Sequence, residues 1–351
     1  MIMDKPLNED CRWMDEAIAL ARKAHGLCSP NPMVGAVVVK DGLKVGEGYH
    51  HKAGEPHAEP NALDDAGDNA RGATLYVTLE PCSTYGRTPP CTERIKRSGV
   101  RRVVIGVLDC NPKHAGAAVA ILREAGIEVT VGVREDECRR MNETFFWWIR
   151  ERKPFVTLKM AMTLDGKIAT ANGSSKWISG PQARDYVQML RRGADAVMVG
   201  GSTALIDNPS LLVRTPSDWP AQPRRIIWTS RDLPPTLAMF GDGGPMPETA
   251  KPTTYGEWDA FFRKLASENV TSLLLEGGGE LAANALRSFA VNKVVLFVAP
   301  KILGGRNSRP VVGGDDVPSL DEALRLLGME TSLIGDDLLI TGYCQNVHGN
   351  N

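Results

Sequence analysis

The stretch EPHAEPNAL, residues 55–63, sets His57 and Glu59 two positions apart, just before a helical pattern. Further on, LEPCSTYGRTPPC carries Cys82 and Cys91. A catalytic zinc takes three protein ligands and keeps one position open for water. His57, Cys82 and Cys91 supply such a set, which implies one zinc ion per chain. A zinc ion lowers the pKa of its water toward neutrality. Glu59, beside the histidine but not a ligand, is placed to take a proton from that water and return it to a leaving group. A closed structural zinc site, or two ordinary buried cysteines, would have no need of Glu59.

The pattern H-x-E…P-C belongs to zinc deaminases that act on cytosine-like and adenine-like rings. In the general signature two residues separate the cysteines, whereas here STYGRTPP does. Gly86 and the paired prolines fit a looped insertion, with Cys91 opening the next helix. The cysteine spacing alone is weak evidence. With H-A-E and E-P-C beside it, the set is specific.

The elements that must carry these residues follow from periodicity. In CRWMDEAIALARKAHG, apolar residues at Trp13, Met14, Ala17, Leu20, Ala21 and Ala24 give a helix ended by Gly26. VGAVVV, ATLYVTL, RRVVIGV and IEVTVGV read as strands. HAEPNALDDA, TERIKRSG and GAAVAILREAG read as helices between them. Such alternation predicts an α/β sheet covered on both faces. At FFWWIRERKP the pattern resets, which predicts two domains, 1–150 and 151–351. The second series runs from FVTLKMA through PQARDYVQMLRRG, AVMVGG, RRIIWTS, WDAFFRKLASEN and VTSLLLEGGG to ELAANALRSF and KVVLFVAP. The Pro-, Gly- and Thr-rich stretch from Leu233 to Gly256 predicts a surface loop.

In LLLEGGGELAANAL, a strand, a glycine turn and a helix let backbone N–H groups approach a phosphate. A glycine triplet alone is weak evidence. It is not the G-x-G-x-x-G fingerprint, and no acidic residue follows at the required distance, so a Rossmann dinucleotide site is excluded. Lys159 interrupts an apolar strand. Buried without a partner it would be costly, so it is read as facing a ligand. Asp165 opens a D-G turn and reads equally well as a turn residue.

The 351 residues carry a formal net charge of −1 and no Lys/Arg-rich run, which disfavours nucleic acid as a partner. No apolar run reaches membrane-spanning length, and the acidic start MIMDKPLNEDCRWMDEA does not read as a signal peptide. Seven cysteines, an odd number, fit a reducing compartment, so a cytoplasmic location is expected.

NPMVGAVVV, GYHHKAGEPHAE, YVTLEPCSTYGRTPPC and NPKHAG resemble the deaminase half of the RibD family of bifunctional riboflavin-biosynthesis enzymes. LKMAMTLDGKIA, SSKWISGPQAR, DNPSL, LLLEGGGELAANAL and VAPKILGG resemble its reductase half. The resemblance covers nearly the whole chain. It implies a cytidine-deaminase-like α/β/α domain followed by a dihydrofolate-reductase-like α/β domain. It also implies two reactions. The first is zinc-dependent deamination of 2,5-diamino-6-(ribosylamino)-4(3H)-pyrimidinone 5'-phosphate. The second is NADPH-dependent reduction of the ribosyl group of 5-amino-6-(5-phosphoribosylamino)uracil to ribityl. A homo-oligomer, dimer or tetramer, is expected. The chain departs from the family pattern at Asn61, Thr84 and Cys110, positions on which neither zinc ligation nor proton transfer depends.

The resemblance places Asn31 and His50 around the pyrimidine and ribose. It assigns the cofactor to Ala161, Trp177, Thr203, Asp207, Ser230 and the turn Gly278, Gly279, Glu280, Leu281, Ala282, Ala283 and Asn284. It assigns the substrate to Ser175, Arg191, Leu211, Arg214 and Glu276, with Lys159 added from its place on the strand. Arg191 and Arg214 suit bidentate recognition of a phosphate, although each also reads as a solvated charge. Trp177 also reads as a core aromatic. Ile226 to Trp228 read as a parallel strand, so Thr229, Ser230 and Arg231 fall at its carboxyl end, where open α/β sheets bind ligands. Ser230 and Arg231 are therefore expected at the NADPH 2'-phosphate. Two other classes stay open. A nucleic-acid deaminase would use the same zinc chemistry, but it calls for a basic surface and has no use for the second half. A chain with one domain kept only as scaffold would carry the same motifs.

Overall fold

The computed structural model describes residues 9–85, 89–111 and 114–348. The chain divides into two compact units, one ending at Glu151 and the next starting at Arg152.

In the first unit, the apolar spacing of residues 13–24 produces α1 (Glu9–Ala21) and a short turn that runs to Ala24. All six apolar residues named from that spacing are buried. Then come β1 (Gly35–Lys40), β2 (Leu43–Tyr49), α2 (Ala58–Ala66), β3 (Thr74–Leu79), α3 (Cys91–Ser98) and β4 (Arg102–Val107). The unit ends with α4 (Ala117–Glu124), β5 (Glu128–Val131), α5 (Glu135–Met141) and α6 (Glu143–Glu151). The sheet order is β2-β1-β3-β4-β5. Both partners of β1 are antiparallel to it, while β3, β4 and β5 run parallel. Every residue of β1, β3 and β4 is buried except one at a strand end, which accounts for their continuous apolar runs.

Strand β2 is absent from the sequence reading, because LKVGEGY has glycines where a strand would have side chains. Asp41 and Gly42 turn the chain with φ of 52° and 73°, pairing Lys40 with Leu43. The glycines of β2 have a packing purpose. A Cβ on Gly48 would fall 2.5 Å from the Ala62 nitrogen and 2.8 Å from the Ala58 oxygen. Helix α2, which follows His57 and carries Glu59, therefore lies directly on the strand. Asn61 Nδ2 fixes it there by donating to the Tyr49 carbonyl at 2.8 Å.

The second unit begins with β6 (Phe155–Thr163), β7 (Lys167–Ala169), α7 (Pro181–Arg192), β8 (Ala196–Gly200), α8 (Gly201–Asp207) and β9 (Arg224–Trp228). It continues with β10 (Glu248–Ala250), α9 (Tyr255–Ser267), β11 (Ser272–Glu276), α10 (Gly279–Arg287) and β12 (Lys293–Ala299). Strands β13 (Arg309–Pro310), β14 (Leu327–Ile334) and β15 (Asp337–Tyr343) complete it. Its sheet runs β10-β9-β8-β11-β6-β12-β15-β14, and a small sheet pairs β7 with β13. The first six strands are mutually parallel, so their carboxyl ends share one edge, and β15 and β14 close the sheet as an antiparallel hairpin.

The stretch from Leu233 to Gly256 is largely exposed and irregular, as expected of a surface loop, but it is pinned to the sheet and carries short elements. Met239 is wholly buried, Glu248–Ala250 form the edge strand β10, and Tyr255 opens α9 behind a Thr254–Glu257 capping box. The cause is Arg225, whose side chain has no exposed area. It donates to the carbonyls of Ser210, Met239 and Pro245 and to the Asp242 carboxylate, at 2.7–3.0 Å. The loop is anchored at these points because its carbonyls and Asp242 satisfy this buried cation.

Gly48→Ala is expected to push α2 off β2. Overpacking of this kind costs about 1–3 kcal/mol. Thermal melting and ammonia release measured together will show a lowered Tm accompanied by weakened deamination. A normal melt with normal deamination would mean that α2 tolerates displacement.

Candidate active sites

In the first unit, the loops place His57 at the N-cap of α2, Cys82 after β3 and Cys91 as the first residue of α3. Their ligand atoms all lie within 4.8 Å of one another. His57 Nδ1 is 3.7 Å from Cys82 Sγ and 3.3 Å from Cys91 Sγ. The Cys91 backbone N–H donates to Cys82 Sγ at 3.2 Å. Cys91 opens α3 as expected, while Gly86 of the looped insertion lies outside the described residues. The hydrogen bond between the two thiols pushes Cys82 down to about 4, and the same thiol–thiol bond and burial push Cys91 up. Two soft sulfurs and an imidazole are the donor set that suits zinc.

Glu59 stands in the first turn of α2 and is buried, with 3% of its surface exposed. Burial raises its pKa, and the Cys91 thiol lies within hydrogen-bonding reach of its carboxylate. His50 and Asn31 are beside the cluster. The His50 and His57 rings meet edge to face at 5.3 Å, and Asn31 Nδ2 is 3.0 Å from His50 Nε2. Of the departures from the family pattern, Asn61 anchors α2, Thr84 is exposed, and Cys110 points its thiol toward the Phe146 carbonyl.

Sequence reasoning passed over Glu80. This buried carboxylate, two residues before Cys82, accepts the backbone N–H groups of Asp109, Gly116 and Ala118 at 3.0–3.1 Å. It thereby holds the loop that carries His114, whose Nδ1 is 3.3 Å from Ser83 Oγ. The available signal was an acid at the end of a buried strand.

In the second unit, a cavity of about 1210 Å³ opens at the carboxyl ends of the parallel strands. It brings together Lys159, Ala161, Ser175, Trp177, Thr203 and Asp207, then Leu211, Arg214, Ser230, Arg231 and Glu276, and the turn residues Gly278, Gly279, Glu280 and Leu281. Gly277 and Gly278 have φ of 75° and 89°, which glycine adopts without strain. A Cβ on Gly279 would meet the Pro310 carbonyl at 2.9 Å, so the turn is tightly enclosed. Trp177 is no core aromatic, being 63% exposed.

Two expectations need correction. Ala282 and Ala283 face the core, and Asn284 accepts from Trp258 Nε1 and donates to the Thr253 carbonyl, both at 2.8 Å. None of the three lines the cavity, because α10 turns them away after its first residues. Arg191 lines the cavity but is not a solvated charge. It pairs with both oxygens of Glu276 at 2.5 and 2.9 Å and donates to the Leu212 carbonyl at 2.9 Å. Arg214 is exposed and makes no ion pair among the described residues. Burial raises the Glu276 carboxyl, but Arg191 outweighs it and the net shift is downward. Burial holds the Lys159 ammonium below its ordinary range, opposed by the nearby Glu276.

Residues 7–107 match the cytidine and deoxycytidylate deaminase zinc-binding region, and residues 154–340 match the RibD C-terminal domain. The riboflavin biosynthesis protein RibD of Aquifex aeolicus is 43% identical, over 94% of this chain and 97% of its own length. The structure of Acinetobacter baumannii RibD superposes with a TM-score of 0.84 at 36% identity, covering 95% of this chain and 98% of that one. A diaminohydroxyphosphoribosylaminopyrimidine deaminase/5-amino-6-(5-phosphoribosylamino)uracil reductase from Thermotoga maritima superposes with a TM-score of 0.82 at 36% identity, with the same coverage. With matches of this extent across both units, the chain belongs to the RibD family of bifunctional riboflavin biosynthesis enzymes, deaminase first and reductase second.

Proposed function

We propose that this chain deaminates 2,5-diamino-6-(ribosylamino)-4(3H)-pyrimidinone 5'-phosphate in residues 1–150. Residues 151–351 then reduce the ribosyl group of the deaminated product to ribityl with NADPH. The observation that carries this reading is the His57–Cys82–Cys91 cluster with the buried Glu59 beside it. His57, Cys82 and Cys91 would hold one zinc ion per chain, which supplies the Lewis acidity that ionises water near neutral pH. Glu59 is the proton carrier. Burial has already raised its affinity for a proton, so it can accept one from water and release it to departing ammonia. Asn31 and His50 orient the pyrimidine beside the cluster.

In the second unit, NADPH would supply the hydride. The chain's own residues orient the two ligands and balance their charge. Exposed Arg214 faces the substrate phosphate, with the Arg191–Glu276 pair and Lys159 on the cavity wall beneath. Leu211 and Ser175 complete the substrate side. Ala161, Trp177, Thr203, Asp207 and the turn from Gly278 to Leu281 meet the cofactor. Ser230 and Arg231, at the carboxyl end of β9, read its 2'-phosphate. The reading includes a cytoplasmic location, supported by the absence of any described helix long and apolar enough to cross a membrane. It includes a homo-oligomer, dimer or tetramer, supported by the exposed Leu327, Met329 and Leu333 on the edge strand β14. Nucleic acid is not among its partners, in keeping with the net charge of −1.

The purified protein is expected to hold about one zinc per chain, and Cys82→Ser or Cys91→Ser to empty the site and abolish ammonia release. Full metal content in both single variants would remove these cysteines from the ligand set. Glu59→Gln is expected to retain zinc and lose deamination by about 10² to 10⁴-fold, the usual worth of general acid–base catalysis. NADPH oxidation on deaminated substrate continues in that variant. Joint collapse of both activities in a folded Glu59→Gln protein would mean that the two sites are misassigned. Arg231→Ala is expected to raise the NADPH KM roughly tenfold, about 1.4 kcal/mol, and to leave NADH kinetics nearly unchanged. Steady-state kinetics with both cofactors decides it, since equal effects on the two would place the 2'-phosphate elsewhere.

A further inference from the structure

The motifs LDGKIA and VAPKILGG carry two charged residues, Asp165 and Lys301, that the site described above does not use. Both bear on the segment 175–180, which forms neither helix nor strand and supplies Ser175 and Trp177 to the cavity. Side chains hold this segment residue by residue. Ser175 Oγ donates to Asp207 Oδ1 at 3.2 Å, and Lys176 Nζ to the Asp207 carbonyl at 3.3 Å. Lys301 Nζ donates to the carbonyls of Trp177 and Ile178 at 2.8 and 2.7 Å. Arg184 Nη1 donates to the Ser179 carbonyl at 2.8 Å, and the Gly180 N–H donates to Asp337 Oδ2 at 2.7 Å.

The indole is held as well as its backbone. The Arg184 guanidinium carbon lies 4.7 Å from the Trp177 ring centroid, a cation–π contact. Lys301 itself sits in an anchored loop just beyond β12. Asp165 accepts the N–H groups of Leu303 and Gly304 at 3.0 and 2.7 Å, and the Leu164 N–H donates to the Lys301 carbonyl at 2.7 Å. These bonds hold the Asp165 carboxyl down at about 2, the Thr163 hydroxyl bond foremost. An irregular segment loses much conformational entropy on ordering. Charge-assisted bonds to three successive carbonyls offset that loss. Left to itself, a largely exposed tryptophan would sample several rotamers and offer no fixed surface.

We propose that Lys301 is a positioning residue of the reductase site. Its ammonium clamps the carbonyls of Trp177 and Ile178, so that the indole, backed by Arg184, forms a fixed wall against which a planar cofactor ring is seated. This rests on the reading that Trp177 meets the cofactor. Lys301 acts only through the clamped segment. Its loss therefore weakens NADPH binding more than turnover, and does so only while the indole is present.

The test is a double-mutant cycle on the full-length enzyme, following NADPH oxidation on deaminated substrate, with thermal melts to confirm folding. Lys301→Met is expected to raise the NADPH KM about tenfold with a smaller change in kcat, and to add less than about twofold in a Trp177→Ala background. Lys301→Arg, whose guanidinium can still bridge two carbonyls, restores much of the loss. An equal factor in both backgrounds, or a wild-type KM for Lys301→Met, overturns the proposal. A wild-type KM for Trp177→Ala instead removes the cofactor reading beneath it. If Lys301→Met does not fold, Arg184→Gln carries the same cycle, since it removes the guanidinium from the same indole and the Ser179 carbonyl.

Discussion

The fold brings the ligand atoms of His57, Cys82 and Cys91 within 4.8 Å of one another, and the loops and helices of the first unit must all meet that constraint. Hydrogen bonding from the Cys91 thiol, with the Cys91 N–H at the start of α3 beside it, favours the thiolate form of Cys82. Helix N-termini favour negative charge and lower thiol pKa values. The first unit is arranged around that convergence. Helix α2 follows His57 directly, and α3 begins at Cys91. Arg94 of α3 pairs with Asp64 of α2. The glycines of β2 let α2 sit close enough for the three donors to meet. A divalent cation that accepts all three displaces thiol protons, so metal binding and deprotonation are coupled.

The second unit handles charge differently. Its cations are of two kinds. Arg191 and Arg225 are buried and satisfied within the protein, by Glu276 and Leu212 in one case and by Asp242 and three carbonyls in the other. Removing one member of such a set leaves an uncompensated buried charge, which costs far more than the set contributes. Arg214 and Arg231 line the cavity, are exposed, and form no ion pair among the described residues. That division suits a cavity that must receive two phosphorylated ligands. The fixed cations shape the walls, and the unpaired ones remain available to incoming anions.

The meeting of His57, Cys82 and Cys91 was legible because metal chemistry fixes the residue types and the H-A-E and E-P-C contexts around them. The helix of residues 13–24 and the buried strands were legible because their apolar periods are strong. What escaped notice depends on tertiary contact. Strand β2 is glycine-rich because a helix lies on it. Strand β14 is exposed along nearly its whole length, so burial imposes no alternation on its sequence. The loop around Met239 is anchored by Arg225 of the preceding strand β9, a contact that its irregular sequence does not announce. Ala282, Ala283 and Asn284 continue the motif in sequence, but the helix turns them from the cavity. Arg191 reads as a free cation until Glu276, far away in sequence, is seen against it.

The departure at Asn61 shows how recognition and architecture trade places in the deaminase site. Its amide is spent on the Tyr49 carbonyl, so this position holds α2 rather than a ligand. Next to Tyr49, His50 is buried and burial lowers its pKa, which favours a neutral ring. Its Nδ1 stands 3.1 Å from the Pro56 carbonyl, an acceptor only, so the ring proton belongs on Nδ1. Nε2 is then an acceptor and takes the Asn31 amide N–H at 3.0 Å. This chain of bonds orients Asn31 and leaves its Oδ1 to accept. On the proposed reading, an acceptor fixed beside the metal cluster suits a substrate rich in amino and ring N–H donors. A freely turning amide would suit either face of the ring equally. The discrimination thus starts at the Pro56 carbonyl, which is held in place by the same loop that delivers His57.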